Sequence, residues 1–179
     1  MASELHVDAI KHSGGTSALT IDSSGNVHKA GMCVQTVDFT SNTEVQSNST
    51  SYVSSGLAGS ITPKFASSKI YIVGFVQTLI EGVHDHGIGL KLVRTLGGSD
   101  TDVYTPTTNY ERYFYDGTAN TTSHSTQERL SMFVVDTPNT TSQCTYTFHF
   151  ASYRTNNSNH ARTQSNSNKS MGYIMEIAQ

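Results

Sequence analysis

Apolar and polar residues alternate with a period of two along much of the chain, and no stretch reads as a helix. The clearest case is "CTYTFHFASY", where Cys144, Tyr146, Phe148 and Phe150 share one face and Thr145, Thr147 and His149 the other. The chain closes on a similar run, with Met171, Tyr173 and Met175 alternating with Gly172, Ile174 and Glu176. "KIYIVGFVQTLI" is the strongest strand. Its nearly continuous apolar residues from Ile70 to Val76 predict burial on both faces. Further strands are expected in "MCVQTVDF", "GIGLKLVRT" and "RLSMFVVD", and a weak pair in "YVSSGLAGSITP", ended by Pro63.

Between these segments lie polar loops: "TSNTEVQSNSTS", "EGVHDHG", the Tyr-rich stretch from Tyr104 to Asp116 with its "DGTANTTSHST" extension, and "RTNNSNHARTQSNSN". Several short strands separated by turn signals predict an all-β fold, an antiparallel β-sandwich of jelly-roll type. Most of the loops are too long for simple hairpin turns, so some of them are expected to bind.

The first thirty residues differ from the rest. Leu19 and Ile21 form a short strand, Asp22 to Gly25 supply a turn with glycine at a left-handed position, and Asn26 to His28 lead back out as a hairpin. Leu5, Val7 and Ile10 are too few to bury anything alone. Such a segment should order only against the main domain or other copies of itself. The division expected is residues 1–30 as an attachment segment and 31–179 as a head domain.

Composition sharpens this picture. The chain has 179 residues, 35% of them hydrophobic and 14% charged, with 24 Ser, 24 Thr and 11 Asn making up about a third. Disordered chains join low hydrophobicity to high charge, and here the second is missing. Thr suits strands, while Ser, Asn and Gly suit the turns between them. A net charge of −3 gives no basic surface for nucleic acid. No apolar run is long enough to insert in a membrane, and the N-terminus does not read as a secretory signal. Cys33 and Cys144 are compatible with one disulfide, but buried free thiols are the favoured reading.

Candidate chemistry is sparse. His84 and His86 flank Asp85 and would point to the same side of an extended strand, so three chains crossing on an axis could offer six imidazoles to one metal. A polar hairpin loop between Gly82 and Gly87 is the plainer reading, and no metal or other cofactor is expected. The sequence contains no GxSxG elbow, HExxH or phosphate-cradling glycine loop, so no enzyme is expected. Tyr104, Tyr110, Tyr113, Phe114 and Tyr115, with Arg112 among them, concentrate aromatic area that could stack on sugar rings, although an interface or core role is the preferred reading.

Two stretches carry a resemblance. "IKHSGGTSALTIDSSGNV" resembles a segment of bacteriophage tail-fibre and other virion structural proteins, where a short strand and hairpin precede a globular head. "TVDFTSNTEVQSNSTSYVSSGLAGSITPKFASSKIYIVGFVQ" resembles the start of such heads, and "GIGLKLVRTLGG", "VVDTPNTTSQCTYTFHF" and "MGYIMEI" continue the pattern to the end. The resemblance implies a homotrimer with an intertwined N-terminal segment and a β-sandwich head, assembled in the host bacterial cytoplasm and carried on the virion. Leu5, Ile10, Leu19, Ile21 and Val27 would then meet their copies. Expected partners are the chain itself, other tail or capsid proteins, and a host surface glycan or protein, with neither nucleic acid nor membrane. Tail fibres usually carry a long adaptor and shaft, of which almost none is read in this sequence, so a small fibre tip docked on another protein is expected, with capsid decoration as an alternative role. A carbohydrate-binding module is the alternative from outside this class.

Overall fold

The computed structural model describes residues 6–83, 85–108, 110–115, 123–155 and 160–179. Within them the protein is antiparallel β throughout, apart from a 3-10 turn at Ser165–Ser167. In chain order the strands are β1 (Ala9–Lys11), β2 (Ser17–Ile21), β3 (Val27–His28), β4 (Cys33–Ser41), β5 (Val45–Ser47), β6 (Val53–Ile61) and β7 (Lys69–Gly82). They continue as β8 (His86–Leu96), β9 (Ser99–Tyr104), β10 (Arg112–Phe114), β11 (His124–Asp136), β12 (Cys144–Ser152), β13 (His160–Thr163) and β14 (Ser170–Ile177).

Two sheets face each other as a sandwich, as the alternating pattern predicts. In the six-stranded sheet β7 is the spine. β11 runs along the whole of one edge, while β14 and then β13 share the other, with β4 outside β14 and β5 outside β13. The five-stranded sheet repeats this plan around β8, with β12 and then β6 on one side and β10 and β9 in succession on the other.

Inward side chains interdigitate between the sheets. Ile70, Ile72, Val76 and Ile80 of β7, with Ile174 of β14, meet Leu90, Leu92, Tyr146, Phe148 and Phe150 of the opposing sheet. The period-two reading of Cys144, Tyr146, Phe148 and Phe150 holds, since all four are fully buried. Phe39 needs room, and glycine supplies it. A Cβ on Gly172 would run into its ring, and one on Gly59 would stand 2.5 Å from Cδ1.

Some expectations need correcting. The weak strand pair is one strand, β6, bent where Gly56 takes φ +75° opposite a register shift against β12. The loops contain β5, β10 and β13, short strands that lie at or near sheet edges; β5 and β13 are too polar to show an apolar pattern, and β10 is only three residues long. His86 opens β8 and is buried rather than looping out. Both cysteines are free, but only Cys144 is buried; Cys33 is exposed at the start of β4. The largest departure concerns β7, whose outward residues Tyr71, Val73 and Phe75 are only half-buried, since among the described residues no layer lies over them.

One buried carboxylate ties the chain's end to the loop before β7. Glu176, on the inner face of β14, accepts from the Lys64 and Phe65 backbone N–H groups at 2.8 and 3.1 Å. It also accepts from Ser68 Oγ at 2.7 Å and Gln35 Nε2 at 2.6 Å. Burial alone would raise this carboxyl, yet these bonds outweigh it and hold it below the ordinary glutamate range. A depressed carboxyl stabilises the fold above its unfolded pKa and loses that contribution as pH falls through the folded value. Glu176→Gln should therefore cost about 1–3 kcal/mol at pH 7. Urea titrations at pH 7 and pH 3 check this, with the gap between wild type and variant expected to narrow at the lower pH.

Candidate interaction surfaces

The N-terminal strands make a sheet of their own, ordered β1-β2-β3. Its turn follows from local chemistry. Asp22 Oδ1 accepts from Ser24 N at 2.9 Å and Asn26 N at 2.8 Å, and Gly25 takes φ +79°. The hydrogen bond from the Asn26 side chain is the main reason the Asp22 carboxyl lies below its usual range. Register pairs Ile10 with Leu19 and Ile21 with Val27, so these four side chains lie on one face. Ile10 is 49% exposed, and the other three are partly exposed. Leu5 lies outside the described residues.

This sheet joins the sandwich at the end where β4 begins and β14 finishes. Gly31 N donates to Ala178 O at 2.7 Å, and Ala178 N donates to Met32 O at 2.9 Å. His28 stacks its edge on Phe65 at 4.8 Å and meets Gln179 O at 2.9 Å through Nε2.

A second feature lies on the five-stranded sheet. The rings of Tyr110, Tyr113 and Tyr153 meet mutually at 4.8–5.0 Å, with Tyr115 beyond Tyr113 at 6.3 Å. They gather over Gly87, where a Cβ would stand 2.6 Å from Arg112 O and 3.3 Å from Tyr153 Cβ. Arg154 lies 5.2 Å over the Tyr153 ring and pairs with Asp85 at 2.7 Å. Desolvation and the hydrogen bond to Asp85 push the Tyr113 phenol up to about 12.

Of the expected tyrosine patch, the structure thus brings Tyr110, Tyr113 and Tyr115 together and leaves two members elsewhere. Tyr104 donates to Glu111 at 2.9 Å in a separate polar group, and Arg112 turns to Glu128 of β11 at 2.7 Å. Tyr153 and the Asp85–Arg154 pair were not foreseen, and no local pattern could have linked residues so far apart in the chain. His84 lies outside the described residues, and His86 stacks on Phe114 at 4.9 Å. Among the described residues no group of three or more His, Cys, Asp or Glu is placed to hold a metal.

The third feature is the outward face of the six-stranded sheet. Register sets Phe133, Val73, Tyr173 and Asp38 in one row across β11, β7, β14 and β4. Val135, Tyr71 and Met175 lie on one side of that row, and Ser131, Phe75 and Met171 on the other. Phe133 is 62% exposed, Tyr173 48% and Val135 42%. Between Phe133 and Tyr173 runs a groove of about 350 Å³. The five-stranded sheet turns a different face outward. There Lys91 pairs with Asp102 at 2.7 Å, His149 lies beside Lys91, and Thr145 bonds Ser60 at 2.7 Å. One outer face is polar, while the other is apolar around Val73 and charged farther along β7, where Glu81 pairs with His160 and Arg162.

No family model and no curated protein matches the chain. Among solved structures it is similar to the VP2 subviral particle of infectious bursal disease virus, at 13% identity and a TM-score of 0.41 over 85% of this chain and 34% of that one. The Gx strain of the same virus is similar at 14% identity and a TM-score of 0.33, over 96% of this chain and 37% of the other. The T13 particle gives 11% and 0.35 over 81% and 36%. The chain spans about a third of the length of these structures. Likeness this loose fixes neither a common fold nor a common role.

The tyrosine cluster predicts its own mutational signature. Tyr153→Ala removes the ring that both neighbours meet edge-on and should cost about 1–3 kcal/mol. Tyr115→Ala, at a ring 68% exposed, should stay within about 0.5 kcal/mol. Chemical denaturation of both variants checks the contrast.

Proposed function

We propose that this chain is a non-enzymatic structural component of a bacteriophage particle, carried on its exterior as a trimeric fibre tip. Residues 1–30 serve as the attachment and trimerisation segment and residues 31–179 as the head. The resemblance of successive segments to phage tail-fibre and virion proteins supports this reading, and an antiparallel sandwich suits it.

The observation that carries the proposal is the N-terminal sheet. Ile10, Leu19, Ile21 and Val27 share one face of a single layer, and so small a sheet is marginal until its apolar side is covered. Copies of the same face would cover it, with three chains closing on an axis. Function in this class lies in interface area and shape rather than bond chemistry. On a particle, the N-terminal end would face the docking partner and the far end the outside.

The Tyr110, Tyr113, Tyr115 and Tyr153 cluster favours a second reading, in which the head binds a host surface sugar by ring stacking. Seating on the capsid lattice as a decoration protein would use the same N-terminal segment. Gold-labelled antibody on intact particles separates the two positions, at the tail end or over the head.

Changing Leu19 and Ile21 together to Ser tests the main proposal in the full chain. Light scattering should give a mass near three times 19.4 kDa for the wild type and a single folded chain for the variant. An unaltered trimer would contradict the assigned role of the segment.

A further inference from the structure

We infer that the apolar outer face of the six-stranded sheet packs against a second copy of this chain, so that the heads as well as the N-terminal segments form the assembly. The inference rests on the proposed self-assembly for its choice of occupant, and on the sheet itself for the rest. Val73 lies between Phe133 and Tyr173, with Tyr71 and Phe75 to either side along β7. Phe133 and Tyr173 together expose roughly 200 Å² on the scale of about 150–250 Å² for a whole aromatic side chain. With the neighbouring apolar side chains, the patch reaches the order of ~300–600 Å² that marks the largest patches on monomers. Adding its polar margin brings it toward the roughly 800 Å² per partner of a stable interface.

Two observations make a second copy the occupant, and a third says that the face is built to be covered. The first is position. The patch occupies residues 171–175 of β14, directly beyond the hydrogen bonds at Ala178 where the N-terminal sheet is attached. Copies gathered by their N-terminal sheets would bring these faces toward one another. The second is charge. Asp38 stands at the β4 margin of the patch, and Arg129 lies on β11 at the opposite margin, its guanidinium 5.3 Å over the Phe75 ring. A face with an acid at one margin and a base at the other is complementary to a rotated copy of itself, which is what a closed ring of subunits requires. The third is the strand. β7 carries apolar residues on both faces, the composition of a strand meant to be covered twice.

The test uses the full chain and the double substitution Phe133→Asp with Tyr173→Asp, both at outward positions that leave the inner core intact. Light scattering over a range of concentrations, with circular dichroism as the check on folding, should show a folded chain whose association is weakened about 100-fold or more. If the variant does not fold, Tyr173→Ser with Phe133→Ser replaces it under the same criterion. Association equal to that of the wild type overturns the inference and leaves the N-terminal proposal standing. Loss in this variant but not in Leu19→Ser with Ile21→Ser supports the inference and removes the N-terminal role. A wild-type chain that stays monomeric at every concentration overturns both. Wild-type chains that bind another virion protein through this face, and not one another, overturn the choice of occupant.

Discussion

β7 holds the molecule together, because its fourteen residues hydrogen-bond along both edges and its inward isoleucines anchor the core. Every strand of the six-stranded sheet is placed either directly on it or one strand away. The opposite sheet then packs against Ile70, Ile72, Val76 and Ile80 and inherits its orientation from them. Glu176 fixes the approach to this strand by gathering the backbone of Lys64 and Phe65 and the hydroxyl of Ser68 just before it begins. Apolar residues inside the sandwich, and a satisfied carboxylate at its end, make one rigid platform on which the surface features stand.

Those features divide by chemistry. The outer face around Lys91 and His149 is polar, and burial with the nearby Lys91 charge keeps the His149 imidazole below its ordinary pKa. The tyrosine cluster beside it is held by ring contacts and by the Asp85–Arg154 pair. On the other side, the row from Phe133 to Tyr173 has no such polar dress. At the base, the N-terminal sheet places four apolar side chains on one face, with no second layer over them among the described residues. The molecule therefore presents two apolar surfaces near one end.

Much of this was legible in the residues. The period-two runs at Cys144–Phe150 and at Met171–Glu176 announced strands, and the run from Ile70 announced the spine. The Asp22–Gly25 turn was readable because its chemistry is local. Strands such as β5 and β13 were hidden because the "VQS" and "HART" segments gain their hydrogen bonds from neighbours rather than from an apolar pattern. The tyrosine site was half visible: Tyr110, Tyr113 and Tyr115 are close in the chain, whereas Tyr153 and Asp85 reach them only through the pairing of β8 with β10 and β12. The expected two-sided burial of β7 is the most informative mismatch, since the described residues supply one covering layer.

The most direct measurement is hydroxyl-radical footprinting of the purified protein at low and high concentration, read at Met171, Phe133 and Tyr173 with Tyr115 as the exposed reference. Assembly through the apolar sheet face predicts that these three become protected as concentration rises while Tyr115 stays reactive. Equal reactivity of all four positions at concentrations where the chain is multimeric would contradict it.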